Sequence, residues 1–125
     1  MRFLGSIVLT AMVVLLCIPL SAQDSGPVQT VTSFLDAWNS KDSARMWSLL
    51  SRQSQEAYPQ QVFENRYTVA NAAMGFDRLS YTLGSTSIQG LTAAVTYDVV
   101  ISSGLFGEIN DPGRTMRLVN DNGRW

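Results

Sequence analysis

Beyond residue 26 the apolar residues of this chain return first at three- and four-residue steps and later at two-residue steps. Val28, Val31, Phe34, Leu35 and Trp38 form one stripe, which predicts a helix of about four turns opening at Pro27, a residue suited to a first helical turn. Asn39 to Asp42 break it, and Asp42 can cap a second helix in which Met46, Trp47, Leu49 and Leu50 share a face. Ser51 to Tyr58 is polar and reads as a connection. Pro59 starts a third helix, PQQVFENRYTVANAAMG, with Val62, Phe63, Tyr67, Ala70, Ala73 and Met74 turned inward and Gly75 at its C-terminal cap.

After Gly75 the period becomes two. Leu79, Tyr81 and Leu83 alternate with polar residues, and Leu91, Ala93, Val95, Tyr97, Val99 and Ile101 mark one face of a long half-buried strand. Gly84 and Gly90 stand where bends or turns are needed. Ser103-Gly104 and Asp111-Pro112-Gly113 bracket a short strand from Leu105 to Ile109. Met116 to Val119 then leads into Asn122-Gly123, a strong signal for a two-residue hairpin turn, with Arg124 and Trp125 beyond it. Three helices followed by four or five antiparallel strands predict an α+β domain, its helices covering one face of a curved sheet. Phe34, Trp38, Trp47, Leu50, Phe63, Tyr67, Val95, Tyr97 and Leu118 are the expected core.

The first 22 residues are of another kind. Met1-Arg2 precede an apolar run from Phe3 to Leu20, and Ser21-Ala22 supply small residues before Gln23 and Asp24. A cleaved secretory signal fits these features and Pro19; an uncleaved membrane anchor fits the length of the run. Either places residues 23 to 125 outside the cytoplasm, as one domain of roughly 100 residues. Cys17, the single cysteine, lies in the apolar run, behind Leu15 and Leu16 rather than the small residues of a lipoprotein signal. It reads as an ordinary apolar residue, and the exported part has no disulfide framework.

The net charge of −1 argues against a nucleic-acid binder, which would normally show a basic stripe or tail. With no histidine and no exported cysteine, histidine triads, thiol catalysis and thiolate zinc sites are excluded, so no metal or cofactor is expected. The serine-transpeptidase set is missing too, since Trp38 rather than a serine stands three before Lys41, the sole lysine. Carboxylates and tyrosines remain. Asp36, beside the first apolar stripe, or Asp98, opposite Tyr97 on its strand, could abstract a proton next to a carbonyl if a cavity enclosed one with a tyrosine. The commoner reading is that these aspartates are solvated and the tyrosines are core. Arg114, Arg117 and Arg124 either face a partner domain or anionic wall polymer, or form a solvated strand face.

FLDAWNSKDSARMWSLLS, VFENRY, GFDRLSY, AAVTYDVVISSGLFGEI and RLVNDNGRW follow one another in an order that resembles the nuclear-transport-factor-2-like N-terminal domain of MecA-type penicillin-binding proteins. The likeness runs from about Val28 to Trp125. It implies a cone-shaped domain without catalytic residues that spaces or positions a cell-wall transpeptidase, in a family tied to β-lactam resistance. It also favours a membrane anchor over a cleaved signal, and dimerisation and transpeptidase domains downstream. Members continue past the final Trp with a strand, so the expectation is a chain truncated in its last strand, with the Trp125 ring frayed outward. The reading from residues alone leaves a second class open: a secreted small-ligand binder, or an isomerase- or dehydratase-like enzyme using the cone cavity.

Overall fold

The computed structural model describes residues 26–125, so the expected signal or anchor helix lies outside the described residues. The first helix, α1 (Pro27–Asn39), buries Val31 and Leu35 completely. It ends in a Schellman motif: Lys41 N–H bonds Trp38 C=O at 2.9 Å and Asp42 N–H bonds Ala37 C=O at 2.8 Å. That motif needs a left-handed residue, and Lys41 supplies it with φ 60°. Asp42 then caps α2 (Ser43–Ser48) by accepting Arg45 N–H at 3.1 Å, as its position predicts.

The polar stretch expected as a connection holds a short helix, α3 (Arg52–Ala57), with no buried residue. It forms because Ser51 caps it, accepting Ser54 N–H at 3.1 Å. A helix without an apolar stripe leaves no periodic trace in sequence. The last helix, α4 (Gln60–Met74), ends at Gly75, left-handed at φ 63° as expected. Its inward set is only half realised. Phe63, Tyr67 and Met74 are half-buried, whereas Val62 is 47% exposed and Ala70 and Ala73 are open to solvent. One side of α4 is enough to cover α2 and the start of the sheet, so the rest faces water. Among the described residues no helix is long and apolar enough to cross a membrane.

Three long strands, rather than four or five, make an antiparallel sheet in the order β1-β2-β3: β1 (Phe76–Gln89), β2 (Thr92–Ser103) and β3 (Gly107–Val119). The Asp111-Pro112-Gly113 stretch, expected to end a short strand, lies within β3. Tyr97 pairs with Arg114 and Val99 with Asp111, so Pro112 and Gly113 together face Asp98. This is a β-bulge with Gly113 at φ 71°, and the strand continues through it. A second bulge sits on the other side of β2 at nearly the same level, where Gly84 and Ser85 of β1 face Thr96. Each bulge frees a backbone N–H, and the middle strand receives both. Thr96 Oγ1 accepts Ser85 N–H at 2.7 Å and Asp98 Oδ1 accepts Gly113 N–H at 2.8 Å.

The core lies between α1 and the opposite face of this sheet. Val31 and Leu35 meet Leu79, Val95, Val99, Ile101 and Leu118. Val95 and Leu118 are buried as expected, and Phe34, Trp38 and Tyr97 are half-buried against the cluster. Trp47, Leu50, Phe63 and Tyr67, also expected in the core, are half-buried outside it, and Met46 fills the fully buried place on α2. Val28 and Leu91 are exposed, Leu91 because it lies in the β1–β2 turn, just before β2 begins.

Gly75 C=O ties α4 to the β2–β3 turn, where it accepts Gly104 N–H at 2.8 Å and a Cβ on Gly75 would stand 2.8 Å from Leu105 Cγ. Gly90, also left-handed, has open space where its Cβ would go. Gly90→Ala should therefore cost about 1 kcal/mol from backbone strain alone. Gly75→Ala should cost roughly 1–3 kcal/mol more for the collision. Equal urea midpoints for the two variants would show that the Leu105 contact is not the constraint.

Candidate functional site

One carboxylate and one tyrosine do meet. The exposed flank of α1 carries Asp36, and the register of β1 opposite Val99 sets Tyr81 below it. Tyr81 Oη–H donates to Asp36 Oδ1 at 2.8 Å. Burial raises the Tyr81 phenol above its ordinary 10.0, and the hydrogen bond to Asp36 and the Asp36 charge raise it further. At neutral pH it is a proton donor held to a carboxylate. Asp36 is exposed, so the carboxylate of the pair stands in water and not in an enclosed cavity.

Asp98 is engaged elsewhere. It lies on the outer face of the sheet with its carboxylate on the Gly113 bulge, so it faces no cavity on the helix side. Tyr97, on the inner face, has its phenol raised chiefly by burial, with Arg114 opposing and Asp111 adding to the shift.

The three arginines do not form one patch. Arg114, inward beside Tyr97, bonds Asp111 Oδ2 through Nε at 2.6 Å, which raises its already high value. Arg117 pairs with Ala94 and points outward. Arg124, in the final turn, donates to Ser48 C=O. Alternation along β3 and the bulge between Asp111 and Arg114 separate side chains that the sequence sets close together.

That final turn is as predicted, with Asn122 at φ 55° and Gly123 at φ 87°. Asp121 and Arg124 pair across it, and both reach the helices: Asp121 Oδ2 accepts Arg52 N–H at 3.0 Å, at the start of α3. Trp125 does not fray outward. Its ring is half-buried against the core and its C=O accepts Thr30 Oγ1–H at 3.1 Å. The groove between α1 and β3, lined by Phe34, Leu50, Met116 and Leu118, gives the ring apolar walls while leaving its backbone at the rim. The sequence carries no signal for this clasp, because its partners are mostly backbone groups.

Clefts open along the helices. The groove just described has a volume of about 360 Å³. A second, of about 260 Å³, opens between the end of α1, α2 and α4, with Lys41, Ser43, Tyr67 and Asn71 around a floor of Met46 and Phe76. Neither includes Asp36, Tyr81 or Asp98. Among the described residues no three carboxylates cluster as they would to hold a metal ion.

The described residues thus form helices on one face of a bent antiparallel sheet, with no enclosed acid–base site among them. The family described as the NTF2-like N-terminal transpeptidase domain matches residues 26–125. The chain belongs to that family. It is a transpeptidase-associated N-terminal domain, of the penicillin-binding-protein kind. No curated protein matches it. Among solved structures it is similar to a SEC-C motif containing protein from Rhodopseudomonas palustris, determined in solution, with a TM-score of 0.62 and 18% identity over 86% of this chain and 80% of that one. At that identity the likeness shows the fold alone.

Two tests follow from the placement of the aspartates. Asp98→Asn, which keeps an acceptor, should leave stability within about 0.5 kcal/mol, while Asp98→Ala should lose about 1 kcal/mol by stranding Gly113 N–H. Identical urea midpoints for both would detach Asp98 from the bulge. The second test is alkaline titration. A phenol raised on folding contributes stability that is complete below its unfolded value and is lost as pH rises through its folded one. Tyr67, Tyr81 and Tyr97 are all raised above 10.0, so stability should hold up to that pH and fall beyond it. Asp36→Asn should bring one phenol's absorbance transition to lower pH, and an unchanged titration curve would deny the Asp36–Tyr81 contact.

Proposed function

We propose that this domain is a non-catalytic, extracytoplasmic positioning module of a penicillin-binding protein, which holds a downstream dimerisation and transpeptidase region at its working distance in the cell wall. In this reading residues 1–22 direct export and tether the protein to the membrane, and the module takes part in the response to β-lactam antibiotics. The observation that carries the proposal is the family match across residues 26–125. Support also comes from the chemistry of the domain: the carboxylate–tyrosine pair found among the described residues is exposed, Asp98 serves a bulge, and no serine stands three before Lys41. The terminal clasp, which fastens the end of the last turn to the helical layer, suits a module that must hold whatever is joined to it.

The reading frame beyond codon 125 tests the proposal. A further strand followed by Ser-x-x-Lys and Lys-Thr-Gly motifs supports it, and a frame without them overturns it. Incubated with a labelled β-lactam, the chain itself should carry no label; a stoichiometric adduct would refute the non-catalytic assignment.

A further inference from the structure

The cleft at the end of α1 holds features that folding alone does not require. Lys41 occupies the left-handed position of the Schellman motif at φ 60°, where glycine would sit without strain. It is the only lysine of the chain and the only charged residue lining the cleft. Lys41 is exposed at the mouth of the cleft, its ammonium 5.9 Å from the centroid of the Phe76 ring, and it makes no ion pair among the described residues. Non-glycine residues in such backbone conformations persist where the surroundings offset the strain, and they cluster at sites that use them.

The rest of the lining complements that cation. Ser43 and Thr68 bring hydroxyls. Asn71 receives Trp38 Nε1–H on its Oδ1 at 3.4 Å, which leaves its amide hydrogens as donors. Beneath them lie apolar surfaces: Met46 and Phe76, both buried, and the ring of Tyr67, set edge-on to Trp38 at 5.8 Å. One cation and several neutral donors over an aromatic floor, in about 260 Å³, describe a site for an anion with an apolar body.

We infer that this cleft binds a small monocarboxylate with an aromatic or branched apolar body, its carboxylate on Lys41 and its body against Tyr67 and Phe76. The inference is independent of the transpeptidase reading, since it concerns only the helical end of the domain. Lys41 is the anchoring residue and Asn71 a second donor to the carboxylate. Burial of the ligand's body, rather than the charge alone, separates this site from ordinary anion contact at a surface lysine.

Benzoate is a suitable probe, with benzyl alcohol as its neutral counterpart. The full chain, labelled with nitrogen-15, is titrated with each while the Trp38 indole N–H resonance is followed, because that group bonds Asn71 at the cleft wall. Benzoate should shift it saturably in the millimolar range, and benzyl alcohol should bind roughly tenfold more weakly for want of the charge-assisted bond. Lys41→Gly should lose benzoate binding while its urea midpoint stays equal or rises, because glycine relieves the left-handed strain. Lys41→Arg should still bind. A linear, non-saturating shift in the native chain overturns the inference. So does benzoate binding that Lys41→Gly leaves unchanged.

Discussion

Everything in this domain depends on where its sheet bends. The middle strand β2 keeps its alternation while the strands on either side both bulge near its centre, at Gly84–Ser85 and at Pro112–Gly113, and β1 carries a further extra residue, Asp77, at its start. Two bulges at one level bend both neighbours and increase the local twist, so the sheet curves across its whole width rather than fraying at one edge. The curve gives α1 a concave surface, and Val31, Leu35 and Val95 can then be wholly dry in a domain of only 100 described residues. A flat sheet of three strands would meet one helix along a line and leave most of its inner face wet. The bulges persist because β2 places Thr96 and Asp98 where the two freed N–H groups emerge.

The helical layer is held by different means at its two ends. Near α1's C-terminus the contact is aromatic: Trp38 stacks on Phe76 at 6.1 Å and meets Tyr67 edge-on, and Tyr67 leans on Phe63 at 4.8 Å. Such pairs add about 0.5–1.5 kcal/mol each beyond the area they bury. At the other end of the layer, α3 brings no buried side chain and is fixed instead through Ser51, Gln55 and the clasp from Asp121. Packing and hydrogen bonding thus divide the layer between them, with α4 held chiefly through its aromatic side chains and α3 through hydrogen bonds.

The parts of this architecture that repeat along the chain were legible in sequence. The α1 stripe, the Asp42 cap, the Gly75 stop, the long alternating strand and the Asn122-Gly123 turn all obey local rules that a few neighbouring residues suffice to state. What escaped depends on residues far apart. Asp111-Pro112-Gly113 has the composition of a turn, and only the partner strand, with Asp98 opposite, makes it a bulge. Ser51 to Tyr58 lacks an apolar period because α3 buries nothing. Val62 and Leu91 fit their stripes and are still exposed, since the period of a helix or strand says which residues share a face and not how far the neighbour extends. Of the candidate site residues, Asp36 met its tyrosine and Asp98 did not. Lys41, set aside in sequence as the lysine of an absent motif, emerged as a cleft residue only through the packing of α2 and α4 around the end of α1.

The clasp at the final turn has a mechanical side. Its three hydrogen bonds run to three separate helices: Thr30 of α1 to Trp125 C=O, Arg124 to Ser48 C=O of α2, and Arg52 N–H of α3 to Asp121. A pull applied at Trp125 is therefore shared across the layer before any strand must slide. The bonds are short-ranged and few, so the junction is stiff under small loads and yields abruptly once one bond parts. A tether fastened there would transmit orientation faithfully up to a threshold force, and then release the last turn while the bent sheet and α1 stayed intact.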